Sequence, residues 1–185
     1  PVAAEIVTAL HTTVTRQFDI FDPVVVSVGV VEAGTVHNVI ADSARMEATM
    51  RSFSATARAR LAEVTVRLCR GIAEAHGLHA DVVVEQQYPA TVNDATAVAR
   101  FERVASGLFG TEKFETFAHP LPGAEDFSFV LEEVPGALAF FGVCVPERDP
   151  ATAPYNHSAN ALYDDSVLAD GAALLAAMAL DHLDP

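Results

Sequence analysis

The residues able to do chemistry concentrate in two stretches. Pro122-Gly123-Ala124-Glu125-Asp126-Phe127-Ser128 sets two carboxylates behind a glycine turn, and Asn156-His157-Ser158 sets one imidazole between polar residues in a loop. Neutral imidazole is the commonest metal ligand, so the two stretches together read as half of a metal site. The other half is not visible: zinc takes three or four ligands, and no H-x-E-x-H, H-E-x-x-H or C-x-x-C spacing supplies them. Glu125 and Asp126 also fit a plainer role, because acidic residues in a first helical turn complement the helix dipole. Gly123 permits a ligand to approach the backbone. Asn38 and Arg51 lie on adjacent extended segments; Arg offers a planar fork for a carboxylate, and Asn both donates and accepts. On type and spacing alone these two are ordinary strand residues. His11, His76, His79 and His119 read as surface histidines.

The elements that must position these groups follow from periodicity. Ala3, Ile6, Val7, Leu10, Val14 and Phe18 fall at helical spacing over residues 3–18. Asp22-Pro23 ends that pattern, and the β-branched run Val24 to Val31 follows. Beyond Gly34-Thr35 a second extended segment runs from His37 to Phe53. In its later half Met46, Ala48 and Met50 face one way and Glu47, Thr49 and Arg51 the other, which predicts an antiparallel pair. Ser54 is the expected N-cap of a helix over 55–76 that stops at Gly77. A third strand is expected from Ala80 to Gln86. One strand placed before Pro1 would complete an antiparallel βαββαβ unit with two helices on one face. After a linker at 88–93, Asp94 caps a helix to Leu108. A short strand is expected at 113–117, a short helix at 125–131, a buried strand at 137–143, and a final helix at 166–183. The last segment reads as the tail of an α/β domain.

Bulk properties narrow the partners. The 185 residues are 51% hydrophobic and 19% charged, enough to bury a core. Asp and Glu outnumber Lys and Arg 25 to 11, a net charge of −14 that repels nucleic acid and anionic lipid. Cys69 and Cys144 each sit in an apolar run, which fits small buried hydrophobes in a reducing, cytoplasmic setting better than a disulfide framework. No apolar run is expected to reach the roughly 18 residues of a membrane span, the longest being Ala172 to Leu180, and no signal peptide is visible. The chain opens at Pro1 directly into a helical pattern, as an excerpt of a longer protein would.

Five stretches taken in order carry a family likeness. Gly34-Thr35-Val36-His37-Asn38-Val39-Ile40, Met50-Arg51-Ser52-Phe53-Ser54, Tyr88-Pro89-Ala90-Thr91-Val92-Asn93-Asp94, Gly123-Ala124-Glu125-Asp126-Phe127-Ser128 and Asn156-His157-Ser158 closely resemble the M20 metallopeptidase family. The match is best to its amidohydrolase branch, which includes hippurate hydrolase, N-acyl-amino-acid amidohydrolases and plant auxin-conjugate hydrolases.

The resemblance implies an α/β plus α+β protein. Residues 1–88 would be a ferredoxin-like βαββαβ lid and dimerisation domain lacking its first strand. Residues 89–185 would be the C-terminal part of a zinc-peptidase-like catalytic domain. It implies hydrolysis of the amide bond of N-acyl amino acids by a metal-activated water, with two divalent ions, Zn, Mn or Co. It implies a homodimer formed through the lid. Residue by residue, His157 matches the last metal ligand, Asn38 and Arg51 the lid pair that grips the substrate carboxylate, and Gly123 the loop lining the pocket. Glu125 and Asp126 match a motif at the site's edge, with Glu125 a substrate-contact candidate. The other ligands and the general-base glutamate match positions upstream of Pro1, so the chain alone is expected to be inactive. A non-catalytic dimerisation or ligand-binding module derived from the lid is the competing reading.

Overall fold

The computed structural model describes residues 1–183. The chain forms two compact units. The first comprises Pro1–Ala90 together with the short return segment Pro122–Glu125, and the second comprises Thr91–Leu121 and the chain from Asp126 onward.

The first unit is built on a β-hairpin with two helices. Helix α1 (Val2–Gln17) leads into strand β1 (Val24–Ala33), which pairs antiparallel with β2 (Ala44–Ser52), followed by helix α2 (Ala55–Ala75). Alternation in β1 is clean at its start: Val24 and Val26 are buried, while Val25 and Ser27 are exposed. A bulge between Val28 and Val30 shifts the register, so that Val26 faces Met50 and Val31 faces Met46. The core gathers Ile6 and Leu10 of α1, Val24 and Val26 of β1, and Ala57, Leu61 and Cys69 of α2, with Met46, Met50 and Val82 packed against it. Arg51 has the opposite parity on β2 and projects from the other face of the hairpin.

Caps fix both ends of α2. The Ser54 Oγ accepts from the Ala57 amide at 2.9 Å and donates to Asp22 Oδ2 at 2.6 Å, so one hydroxyl caps the helix and ties it to the turn before β1. At the other end Gly77 adopts φ 70°, and the Gly77 and Leu78 amides return to the Glu74 and Ala73 carbonyls. Replacing Ser54 with Ala is expected to cost about 1 kcal/mol, read as a lower denaturant midpoint at unchanged slope.

The expected third strand differs. Residues 80–86 show the burial alternation of a strand, with Ala80, Val82 and Val84 half-buried and Asp81, Val83 and Glu85 exposed, yet no ladder forms. The sheet has two strands among the described residues. A strand is completed by a neighbour's amides and carbonyls. The last strand of a βαββαβ sheet pairs with the first, and the described residues contain no such strand.

In the second unit, helix α3 (Ala95–Phe109) is capped by Asp94, whose Oδ1 accepts from the Ala97 amide at 2.9 Å. A 3-10 turn at Thr111–Lys113 stands where a short strand was expected to begin, and residues 114–117 run on without strand pairing. Helix α4 (Phe127–Glu133) starts two residues later than the sequence spacing indicates. The expected buried strand at 137–143 is an extended segment without a ladder: Leu138 exchanges two hydrogen bonds with the Asn93 side chain, the Val143 carbonyl accepts from the Asp164 amide, and an isolated antiparallel bridge follows between Cys144 and Tyr163. It is not buried: Phe140 and Phe141 are 56% and 41% exposed. A buried strand needs neighbours on both edges, and none is present among the described residues.

Helix α5 (Leu168–Leu183) follows a 3-10 turn capped by Asp164, whose carboxylate is held below its usual range by hydrogen bonds from Ser166. Charge ties α5 to α3. Arg103 grips Asp181 with two bonds of 2.6 and 2.9 Å, Arg100 lies 3.4 Å from the same carboxylate, and the Arg100 Nη1 sits 2.6 Å from His182 Nδ1. The Arg103 hydrogen bond holds Asp181 below the ordinary carboxylate range. Through its preceding turn this helix spans Asp165–Leu183, with mean hydropathy 1.4, long and apolar enough by composition to cross a membrane. Helical continuity on both sides of the run Ala172–Leu180 supplies the length that the apolar run lacks.

Candidate functional site

Arg51 is placed by the hairpin. It pairs with Val25 near the start of β1, so a hydrogen-bonded ladder fixes its backbone while the guanidinium stays exposed. That guanidinium donates from Nη1 to the Pro122 carbonyl, 71 residues further along the chain. Arg51 and the loop carrying Gly123 and Glu125 are thereby brought together within the first unit.

Asn38 is not part of that group. It lies exposed in the loop joining the two strands, beyond the last pair, Ala33 with Ala44. Arg51 stands seven residues along β2 from Ala44, about 23 Å at a strand's rise per residue. In the hairpin Asn38 and Arg51 occupy opposite ends, too far apart to hold one carboxylate from the same chain.

The loop ahead of α4 leaves room. Gly123 has no positive φ, and a Cβ built there would meet nothing within 4 Å. Neither backbone strain nor crowding requires glycine at this position, so its effect is to keep the surface beside the Pro122 carbonyl open. Glu125 is half-buried. Asp126 occupies the N-cap of α4 with helical dihedrals, φ −71° and ψ −23°, and its side chain makes no capping bond. Asp126 therefore stands at the start of α4 without a capping bond, and it is exposed. Ser128, the second residue of α4, is fully buried.

His157 sits at the third position of a tight turn closed by the Ser158 amide on the Tyr155 carbonyl at 2.8 Å. The imidazole is exposed, with the Tyr155 ring 6.2 Å away between centroids. Tyr163 holds the turn, its hydroxyl donating to the Asn156 carbonyl at 3.1 Å, and Tyr163 is itself anchored by the bridge to Cys144. The Arg148 guanidinium donates to the Asn160 carbonyl at 3.0 Å and the Ala161 amide to the Ser158 carbonyl at 3.1 Å, so these four hydrogen bonds shape this short stretch. Sequence reasoning missed Tyr163; its phenol is six residues past His157, and nothing in its spacing marks the contact.

Among the described residues no three His, Cys, Asp or Glu side chains converge on a point. One exposed imidazole fits one ligand position of a metal centre and not a dinuclear centre, so the donor set of this chain does not by itself hold the metals that the likeness implies, and no reaction step follows from it alone. Both cysteines are free: Cys69 is buried in the first unit, which pushes its thiol up, and Cys144 is half-buried in the second.

Comparison with known proteins gives a consistent frame. The family model for peptidase family M20/M25/M40 matches residues 5–181. Hippurate hydrolase of Campylobacter jejuni is 30% identical over 98% of the chain and 45% of its own length. N-acetylcysteine deacetylase of Bacillus subtilis is 36% identical over 58% of the chain and 29% of its own length, and N-acetyldiaminopimelate deacetylase of Halalkalibacterium halodurans is 34% identical with the same coverage. The Bacillus subtilis YXEP protein, a dinuclear metal binding peptidase of the M20 family, superposes with a TM-score of 0.75 at 28% identity, over 99% of this chain and 46% of its own. The chain thus spans less than half the length of these relatives. Taken with the ordered run of matching residues from the hairpin loop to His157, the match over residues 5–181 establishes that the chain belongs to peptidase family M20/M25/M40.

Proposed function

We propose that this chain is part of a metal-dependent amidohydrolase that cleaves the amide bond of N-acyl amino acids. The observation that carries the reading is the meeting of Arg51 with the open Gly123 loop, which sets a guanidinium fork beside a surface with room for a ligand. A fork of parallel N–H donors matches the carboxylate of an N-acyl amino acid. Relatives of this chain hydrolyse hippurate or remove acetyl groups from amino acids, which supports the same substrate class.

In this reading Arg51 takes the carboxylate, Gly123 leaves space for the substrate backbone, and Glu125 borders the pocket. His157 supplies one ligand to a pair of divalent ions, Zn, Mn or Co, whose other ligands lie outside this chain. Bound metals would polarise the scissile carbonyl and acidify a water. Asn38, at the far end of the hairpin, serves the pocket of a second copy in a homodimer formed through residues 1–88. Free thiols and the acidic surface agree with a cytoplasmic protein that binds neither nucleic acid nor membrane.

The parent protein is expected to hydrolyse N-acyl amino acids, to lose the activity to a chelator, and to regain it with Zn, Mn or Co. Metal-independent turnover, or none on any acyl amino acid, overturns the reading.

A further inference from the structure

We propose that Arg51 is also a positioning residue: its guanidinium holds the 122–125 loop in place through the Pro122 carbonyl before any substrate arrives. The functional meaning of that contact rests on the reading of this loop as a pocket wall; the contact itself does not.

Three observations support it. Residues 114–126 contain no helix or strand, and residues 117–124 are exposed, so regular structure does not fix the loop. Pro120 and Pro122 lack amide donors, which leaves the segment fewer ways to bond to itself. Gly123 has a Cβ-free, uncrowded backbone, so sterics do not confine it either. Against this stands a donor whose own backbone is locked into the β1–β2 ladder opposite Val25. A carbonyl oxygen needs one N–H, and a guanidinium has five, so Arg51 can keep Pro122 and still offer a fork to a carboxylate. The same side chain then sets the loop and reads the substrate.

Chemistry separates the two roles. Lysine can supply the single donor that a carbonyl needs but not the planar fork that a carboxylate takes. Backbone amide order parameters of this chain, without substrate, are therefore compared by NMR for the wild type, Arg51→Ala and Arg51→Lys. Those at Gly123, Ala124 and Glu125 are expected to fall in Arg51→Ala, and less in Arg51→Lys. Unchanged order parameters in Arg51→Ala, or a fall shared equally by Val26 and Met50 in the hairpin, overturn the local hold.

A second readout uses an N-acyl amino acid amide, which has no carboxylate. In the parent protein Arg51→Ala is expected to lower kcat on this amide and Arg51→Lys to restore it. Wild-type kinetics of Arg51→Ala on the amide overturns the positioning role. Should the wild type turn over no acyl amino acid at all, the proposed function fails while the order parameters still judge the contact.

Discussion

Replacing His157 with Ala in the parent protein is expected to abolish hydrolysis of N-acyl amino acids and to lower the number of bound metal ions. The geometry explains why such a loss would be local. The imidazole is exposed at the third position of the Tyr155–Ser158 turn, and no core side chain leans on it. The turn is shaped by the Ser158 amide, the Tyr163 hydroxyl and neighbouring backbone contacts, none of which uses the imidazole. Alanine there leaves the fold intact and removes one nitrogen donor. Groups that merely orient a ligand cost about 10–100-fold in metal affinity or activity when removed, so loss of a ligand itself should exceed a hundredfold. Metal analysis provides a readout independent of turnover. His11→Ala, on the exposed face of α1, serves as the control and is expected to keep full metal content and activity. Two ions per protomer retained in His157→Ala would refute the assignment.

Much of the helical framework was legible from the sequence because its causes are local. Side-chain capping by Ser54 and Asp94 and termination at Gly77 each involve atoms within a few residues of one another, and apolar spacing along one face needs no partner to be recognised. The β1–β2 pair was equally readable, since a hairpin's register is set within its own length. Residues 80–86 and 137–143 mark the limit. Their side-chain patterns are those of strands, but a strand is completed by a neighbour's backbone, and that partnership is not encoded in the segment itself. The same distinction applies to the site. Arg51 and His157 stood out by residue type, whereas the Pro122 carbonyl and the Tyr163 hydroxyl, which engage or support them, are groups whose role depends on where the chain returns. The separation of Asn38 from Arg51, about 23 Å at the rise of an extended strand, likewise depends on how the hairpin is laid out.

That separation sharpens what Arg51→Ala should do to substrates that carry a carboxylate. With Asn38 of the same chain out of reach, Arg51 is a cationic group brought to the Gly123 loop within the first unit. Loss of a charged hydrogen bond costs about 1.5–3 kcal/mol, so KM for an N-acyl amino acid is expected to rise about tenfold to a hundredfold. Arg51→Lys should recover little of this, because an ammonium is a point charge and the carboxylate needs two parallel donors. The ratio of kcat/KM for the free acid to that for its amide isolates the effect: any disturbance of the loop weighs on both substrates, while the missing fork penalises only the acid. A wild-type acid-to-amide ratio in Arg51→Ala would show that the guanidinium never meets the substrate, and would leave it a structural tie between β2 and Pro122.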